Sequence, residues 1–593
     1  MIRYRVEPDD LHTHHWRVTL TVAQPAADTV VSLPVWIVGS YMVREFARHL
    51  SALQARQGTR VIEVEPLDKT SWALRCSGRA ALTLSYRVYA FDASVRGAFL
   101  DARRGFFNNT ALCLRVLGRE ASPHRLTLAG LPVGWQVATA MAPAPGGGRW
   151  AFEARHYDEL LDHPFELGTF WRGHFNAGGV PHELVVTGAL PGFDGERLLA
   201  DSRRICEAQI DFWHRPDQSR PPFSRYVFLL NAVEEGYGGL EHRASTALVA
   251  ARRDLPRAQP ARTDAPSDGY VTLLALISHE YFHTWNVKRL KPADLATPDH
   301  QRENHTRLLW FFEGFTSYYD ELFLRRCGLI DGARYLRLLA KAINAVAATP
   351  GRQVQSVSEA SFDAWVKYYR SDENTPNATV SYYQKGALVA LVLDLMLHQR
   401  GGSLDDVMRG LWRRSGAGSG ADDHAPAAGT ITEADIAAVL AEVAGQPMDE
   451  ALQGAVHGTG ELPLAALLPA FGVQWRTERA GFAASLGLRL AEGPVSGVQV
   501  RAVMAGSAGA AAGLAAGDEL LAVDGWRIRR LDDALAWVAA AQPFELLLVR
   551  DQRVLTRTVR PDAKSPLAGT VALHLQDKPA RVVAARRRAW IDA

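Results

Sequence analysis

Apolar and polar residues alternate along the first part of the chain, up to about residue 160. Segments 16–22 and 81–88 show this pattern most clearly, and clusters of Pro, Gly and Asp separate such segments. Alternation at period two is typical of β-strands that bury one face. We therefore predict an N-terminal β-sandwich-like domain over residues 1–164.

The apolar period changes beyond residue 165. Apolar residues then recur at helical spacing in segments 196–214, 271–290, 305–327, 332–348 and 383–400, with a strand-like run at 226–230. This pattern predicts a mainly helical domain over residues 165–475.

Short strand-like segments return around one helix in the last part of the chain. We predict a third domain over residues 476–562, followed by a C-terminal tail at 563–593. The arginine cluster 586–588 lies in this tail and is interpreted as a solvated charge run.

The charge balance favours no polyanionic partner. The 66 basic and 64 acidic residues leave a net charge of +2, so nothing points to nucleic acid or an anionic membrane. The four cysteines lack C-x-x-C spacing, which argues against a thiolate zinc site or a disulfide framework. The sequence shows no secretory signal and no apolar stretch long enough to cross a membrane. We expect a cytoplasmic protein.

One motif carries metal chemistry. His279-Glu280-Tyr281-Phe282-His283 has the form H-E-x-x-H and ends an apolar helical segment. Residues four apart lie on one helical face, so both imidazoles can bind one zinc ion. Glu280 then lies beside the ion as the general base of a metallopeptidase.

A third ligand must come from elsewhere in the sequence. Glu313 lies within a strongly apolar predicted helix, 305–327. Burying an unpaired carboxylate there is costly, and a cation is the simplest compensation. The alternative is structural, in which His279 and His283 are satisfied inside a helical core. We predict a zinc site made by His279, His283 and Glu313.

These motifs resemble those of a known family. The strings H-E-Y-F-H-T-W-N-V-K-R-L-K-P at 279–292 and E-G-F-T-S-Y-Y at 313–319 are similar to the glycyl aminopeptidases, which are PDZ-containing gluzincin zinc peptidases and distant relatives of aminopeptidase N. The resemblance continues in the β region at 33–36 and 39–46. It implies a multidomain α+β protein with a thermolysin-like catalytic domain and one zinc ion.

The resemblance also assigns a substrate-binding segment. Gly238-Gly239-Leu240-Glu241-His242 resembles the G-x-M-E-N segment of aminopeptidase N relatives, with Leu and His in place of Met and Asn. In those relatives the glutamate binds the free α-amino group of the substrate. This role implies substrate contacts for Gly238, Gly239 and Glu241, and a carboxylate suits a cationic N-terminus. The alternative is a solvated glutamate on a loop.

A tyrosine is assigned by the same route. Tyr383-Gln384-Lys385-Gly386-Ala387 resembles the Y-x-K-G-A segment of these relatives, whose tyrosine hydrogen-bonds the oxyanion. A phenol can donate to that charge without titrating at neutral pH. Tyr382 is adjacent, but the spacing to the Lys-Gly pair selects Tyr383. Simple packing at a helix start is the alternative.

The segment Gly105-Phe106-Phe107-Asn108-Asn109-Thr110 in the β region has two possible interpretations. Related enzymes line the cleft with a loop of the β domain, which suggests a substrate role. Two adjacent asparagines after aromatic residues are also typical of an ordinary turn.

The C-terminal segment resembles a PDZ domain. The string A-G-L-x-x-G-D-x-L-L-x-V-x-G runs from Ala512 to Gly525. PDZ domains bind peptides by strand addition, and a peptide C-terminus is expected at the amides of 486–488. Alternatively, the groove is occluded and the domain is structural.

We interpret the chain as a zinc aminopeptidase that releases small N-terminal residues, Gly or Ala, with Glu280 and Tyr383 as catalytic residues. The size preference follows from resemblance alone. Peptides are the expected substrates and the possible PDZ ligands. One alternative is an endopeptidase with substrates delivered by the PDZ domain. The other is a catalytically silent PDZ scaffold, which would have no use for the base Glu280.

Overall fold

The computed structural model describes residues 1–215, 217–258, 265–417, 428–493, 495, 497–539, 541–562 and 565–592. The chain forms two compact units. The first comprises residues 1–304, 327–329 and 409–432, and the second comprises 305–326, 330–408 and 433–593. In the described part of the chain, no helix combines the length and apolarity needed to cross a bilayer.

The N-terminal region is built almost entirely of strands, as the alternating pattern predicts. The strands are β1 Ile2–Asp10, β2 His15–Val22, β3 Asp28–Ser32, β4 Leu50–Gln57, β5 Arg60–Ile62, β6 Val64–Pro66, β7 Ser71–Arg75, β8 Leu82–Tyr89, β9 Ala98–Leu100, β10 Arg104–Phe107, β11 Arg115–Val116, β12 His124–Leu128, β13 Gln136–Ala138, β14 Ala142–Pro143, β15 Ala151–Ala154 and β16 Phe165–Gly168. Two short helices are α1 Asn109–Leu112 and α2 Tyr157–Leu161.

These strands form one eight-stranded sheet, β14-β15-β12-β1-β2-β8-β4-β5, and two four-stranded sheets, β13-β16-β10-β9 and β11-β3-β7-β6. They share a core that includes Tyr4, Trp16 and Phe107. Strand β16 pairs with β10 and β13. The sheets of this region therefore continue past the predicted boundary at residue 164.

A five-stranded sheet follows in the first unit, where the sequence predicts only one strand. Its elements and the neighbouring helices are β17 Trp171–Ala177, β18 Val180–Thr187, α3 Gly195–His214, β19 Tyr226–Val233, β20 Tyr237–Glu241, β21 Ser245–Ala251, α4 Asp268–Phe282 and the short pair β22 Lys291–Pro292 and β23 Thr430–Ile431. The order is β17-β18-β19-β21-β20, so β20 is an edge strand, antiparallel to β21.

The helical region begins with α5 and confirms the predicted helical spacing. Its helices are α5 Leu309–Arg326, α6 Gly332–Ala347, α7 Val357–Phe362, α8 Thr375–Ala378, α9 Tyr382–His398, α10 Leu404–Arg414, α11 Glu433–Ala444, α12 Asp449–Leu452 and α13 Leu464–Leu467. Helices α5 and α9 cross closely. A Cβ added at Gly314 would lie 2.5 Å from Cα of Gly386, so glycine at both positions allows this approach.

The C-terminal region has its own apolar core, which includes Leu488, Val523 and Leu548. Its elements are β24 Val473–Arg479, α14 Phe482–Ser485, β25 Leu488–Gly493, β26 Gly497–Val503, α15 Ala508–Ala511, β27 Glu519–Val523, β28 Trp526–Arg527, β29 Phe544–Arg550, β30 Arg553–Val559, β31 Gly569–Leu575 and α16 Arg581–Ile591. The sheet order is β25-β26-β27-β29-β30, with β28 beside β27.

Residues 565–592, which the sequence predicts as part of a C-terminal tail, form a strand and a helix instead. Strand β31 pairs antiparallel with β24 along its whole length, and the arginine cluster 586–588 lies in α16. Trp590 of this helix is fully buried, and its indole N–H donates to the hydroxyl of Tyr318 at 2.9 Å. Buried apolar residues near the chain end, Trp590 and Ile591, anchor the helix despite the charge run.

Candidate active site

The two histidines of the H-E-x-x-H motif lie at the end of α4. Ser267 caps the start of this helix by accepting from the amide of Tyr270, and the helix is apolar because it is buried on nearly all sides. The Nε2 atoms of His279 and His283 are 3.0 Å apart, and the two rings are nearly perpendicular, at 86°. Both imidazoles therefore aim at one point.

The turn after α4 fixes the orientation of His283, one of the candidate ligands. Nδ1 of His283 lies 2.8 Å from the backbone carbonyl oxygen of Asn286. A carbonyl can only accept, so Nδ1 carries the proton and Nε2 carries the lone pair. Hydrogen bonds of this kind hold metal-binding histidines in position. The motif alone does not reveal Asn286, because its backbone makes the contact.

Glu313 lies on α5 and is 2% exposed. One ligand atom from each of His279, His283 and Glu313 lies within 4.8 Å of the other two. Two imidazole nitrogens and one carboxylate oxygen are the donor set that catalytic zinc sites use, with a position left for water or substrate. The residues therefore fit zinc, and the cluster contains the three ligands that the sequence predicts.

The base candidate Glu280 is buried, with 5% of its surface exposed. Strand β20 passes directly over it, and a Cβ added at Gly239 would overlap Oε1 of the Glu280 carboxylate. Only glycine leaves room for the carboxylate at this point. Gly239 thus has a physical role beside the base, in addition to the substrate contact that resemblance implies.

Glu241 ends strand β20 and is not a solvated loop residue. Its side chain is 4% exposed, and its Oε1 atom has no hydrogen-bond partner among the described residues. Gly39 of the β region lies against the carboxylate. A Cβ at Gly39 would lie 2.6 Å from Oε2 of Glu241, and the φ of +94° also favours glycine. The solvent-exposed alternative is therefore wrong.

A buried ionic cluster holds the residues after Glu241. Asp162, at the end of α2, accepts from the amide of Arg243 at 3.0 Å, from Nδ1 of His242 at 3.3 Å and from Nζ of Lys288 at 3.0 Å. Burial acts to raise the pKa of Asp162, but Lys288 and the other partners hold it well below its ordinary value. The histidine that departs from the G-x-M-E-N pattern thus bonds to the β region.

Tyr383 lies in the first turn of α9, which Ser381 caps. Its hydroxyl is 3.3 Å from that of Tyr369. Burial, and then the charge of Glu313, raises the pKa of Tyr383 well above its ordinary value. The phenol therefore keeps its proton at neutral pH, as a hydrogen-bond donor must.

The C-terminal region presents β25 as an edge strand, and among the described strands β25 pairs with β26 alone. The amides expected to face a peptide C-terminus are partly bonded within the domain. The Leu486 amide donates to the carbonyls of Phe482 and Ala483, both at 3.2 Å, and the Gly487 amide donates to Ala484 at 2.9 Å. These bonds weigh against capture of a terminal carboxylate at 486–488.

Three family profiles match the chain. The M61 glycyl aminopeptidase profile matches residues 272–389, the peptidase M61 N-terminal domain matches residues 3–169, and a PDZ domain matches residues 499–550. No curated protein matches the chain.

The chain is also similar to solved structures. A crystal structure of an aminopeptidase N family protein from Idiomarina loihiensis is 35% identical, with 100% of both chains covered and a TM-score of 0.91. Two structures from Deinococcus radiodurans are more distant. One is an M1 zinc metallopeptidase, 15% identical with a TM-score of 0.47, and the other is a mutant bound to a Tyr-Ser-Ala substrate, 13% identical with a TM-score of 0.46; the similarity covers 78% of this chain and 95% of each of theirs.

Proposed function

Because the chain belongs to the M61 glycyl aminopeptidase family and is a zinc metallopeptidase of the aminopeptidase type, we propose that it releases small N-terminal residues, glycine or alanine, from peptides. One zinc ion would be held by His279, His283 and Glu313. This donor set suits zinc and leaves a position open for the reaction.

The observation that carries the proposal is the carboxylate of Glu241. It is buried at the end of an edge strand, and its Oε1 atom has no partner among the residues that the structure describes. A buried carboxylate oxygen without a partner is costly. The α-ammonium group of a peptide bound along β20 would supply the missing donor and a compensating charge.

The residues around this anchor support a preference for small side chains. A cavity of about 100 Å³ is lined by Glu241 and Gly39, with Ile37, Tyr41 and Leu161 among its apolar residues. Such a space accommodates an ammonium group and a hydrogen or methyl side chain. The close approach of Gly39 to the Glu241 carboxylate narrows the space beside the anchor, which favours a small side chain in this proposal.

The chemistry follows from the roles of individual residues. Zinc, when bound, supplies Lewis acidity to the peptide carbonyl and favours deprotonation of the attacking water. Glu280 accepts the proton of that water and passes it to the leaving amine. Tyr383 donates its hydroxyl hydrogen to the developing oxyanion. Glu241 holds the N-terminus so that the first peptide bond meets the base.

A peptide panel tests the function. We expect free alanyl and glycyl peptides to be cleaved at their first bond, N-acetylated versions of the same peptides to be cleaved very slowly, and a chelator to abolish both reactions. Product identity by mass spectrometry is the measurement. Internal cleavage of acetylated peptides at full rate would instead support the endopeptidase with PDZ-delivered substrates, and no cleavage at all by the zinc-loaded protein would support the scaffold.

A second prediction concerns Tyr383. Tyr383→Phe should keep its zinc and lower kcat by about 10²–10³-fold, the effect of removing one oxyanion donor. KM should change little, because the bond strengthens only in the transition state. Steady-state kinetics with zinc analysis measures both. Tyr382→Phe is the matched control; a large loss in this variant with none in Tyr383→Phe would reverse the assignment.

A further inference from the structure

The guanidinium of Arg96 lies beside the edge strand that carries Glu241. Nη2 of Arg96 donates to the carbonyl of Gly239 at 3.2 Å, and Nη1 would lie 3.6 Å from a Cβ added at Gly238. Arg96 comes from the β region, 143 positions before Gly239. No element of the sequence pattern places it at β20, so it is not among the predicted site residues.

Arg96 lacks the partners that a half-buried guanidinium ordinarily has. Its Nε atom is buried and has no hydrogen-bond partner among the residues that the structure describes. Within the described ranges, no carboxylate forms an ion pair with it, and the carbonyl of Gly239 is the only acceptor of its side chain. A guanidinium presents five donors in a planar fork that matches a carboxylate. Most of these donors have no acceptor in the described part of the chain.

The position of Arg96 is fixed by a fully buried asparagine. Nδ2 of Asn108 donates to the carbonyls of Val95 and Gly97, at 2.8 and 3.3 Å, and so spans the residues on either side of Arg96. Asn109 makes similar bonds, at 2.8 and 3.0 Å, to the carbonyls of Leu160 and His163, which flank the Asp162 cluster. The paired asparagines of the 105–110 segment therefore hold both parts of the β region that contact β20 and the residues after it.

The spacing along β20 suggests what Arg96 binds. A strand rises about 3.3 Å per residue, so the Cα atoms of residues 239 and 241 are roughly 7 Å apart along β20. The ammonium nitrogen and carboxylate carbon of an extended dipeptide are roughly 6 Å apart, given standard bond lengths. A dipeptide whose ammonium group is bound by Glu241 therefore ends near the guanidinium at Gly239.

We propose that Arg96 is a substrate-binding residue that pairs with the C-terminal carboxylate of dipeptides, and that the enzyme prefers free dipeptides to longer or amidated substrates. The proposal rests on the role of Glu241 proposed above. Glu241 and Arg96 would select the two opposite charges of a dipeptide, one at each end of the same strand segment.

The test compares alanyl-glycine with its C-terminal amide. We expect the wild type to favour the free acid in kcat/KM by about 10- to 100-fold, the range of a charge-assisted hydrogen bond. In Arg96→Gln, kcat/KM on the free acid should fall by this factor, while kcat/KM on the amide should change little. Arg96→Lys should retain part of the preference for the free acid. Arg103→Gln, which removes the same charge at an exposed position, should leave the preference intact. Zinc content and thermal unfolding show whether each variant is folded.

The outcomes separate this proposal from the one on which it rests. Equal wild-type rates on acid and amide, or an Arg96→Gln loss that is the same on both, would overturn the role of Arg96 and leave the aminopeptidase function standing. If the zinc-loaded wild type releases alanine from neither compound, the aminopeptidase proposal fails as well. The wild-type comparison requires no variant to fold.

Discussion

Glu280→Gln is expected to lower kcat by about 10²–10⁴-fold, the contribution of a positioned general base, while the protein keeps its zinc. The amide cannot accept a proton from water, yet it has nearly the volume of the carboxylate and fits below Gly239. The three ligands are untouched. Steady-state kinetics and elemental analysis of the same preparation provide the two measurements.

His283→Ala is the contrasting variant. It removes a ligand, so zinc and activity should fall together, and added zinc should restore little of either. Near-normal kcat in Glu280→Gln would show that another group takes the proton. Zinc loss in Glu280→Gln would show that the carboxylate holds the ion instead of the proton.

Gly239→Ala tests the same base without changing its chemistry. The added methyl group would overlap Oε1 of Glu280, so the carboxylate must move or the strand must shift. We expect a loss of turnover with zinc retained, as in Glu280→Gln. Combining the two substitutions should not restore the rate, because the methyl group obstructs glutamate and glutamine alike.

The candidate metal ligands could be identified from sequence because the spacing of the two histidines is a matter of local geometry. His279 and His283 are four residues apart on one helix, which fixes their relation without any tertiary contact. Glu313 could be predicted because a carboxylate is costly to bury in an apolar helix, and a bound cation offsets that cost. Apolar spacing also predicts the helices that carry these residues, and α4 and α5 confirm it.

The β-region contacts could not be predicted, because they join segments far apart in the chain. Gly39 lies against Glu241, and Arg96 bonds to Gly239. Neither glycine nor arginine has a pattern that names its distant partner. The sequence offers no physical reason for the resemblance at 39–46, but the structure does. Residue 39 must be a glycine because a Cβ there would overlap the Glu241 carboxylate.

The sequence predicts one strand where the structure has the five-stranded sheet β17-β18-β19-β21-β20, for a related reason. Strand β21 lies inside its sheet and is almost continuously buried, so it shows no alternation of buried and exposed residues. Strand β20 contains two glycines and an acid, which are poor strand formers. Its conformation follows from pairing with β21 and from the close approach of Glu280, and both are tertiary effects.

We expect Glu241→Gln and N-acetylation of the peptide substrate to lower kcat/KM in a strongly non-additive way. In the free peptide, the ammonium group meets a buried carboxylate, and losing one partner of such a pair costs about 2–5 kcal/mol, or roughly 30- to 5,000-fold in kcat/KM. Acetylation removes the same interaction from the other side. Each single change should therefore be costly, and the two together should cost little more than one.

Four kcat/KM values complete this cycle: wild type and Glu241→Gln, each on a free and an acetylated alanyl peptide. Glu234→Gln, at an exposed position just before β20, is the matched control and should leave all rates unchanged. An endopeptidase would cleave the acetylated peptide at full rate and tolerate Glu241→Gln on both substrates. Strictly additive losses would show that Glu241 and the ammonium group do not meet. Zinc content must stay constant across the variants, because only then does the coupling report the N-terminal anchor.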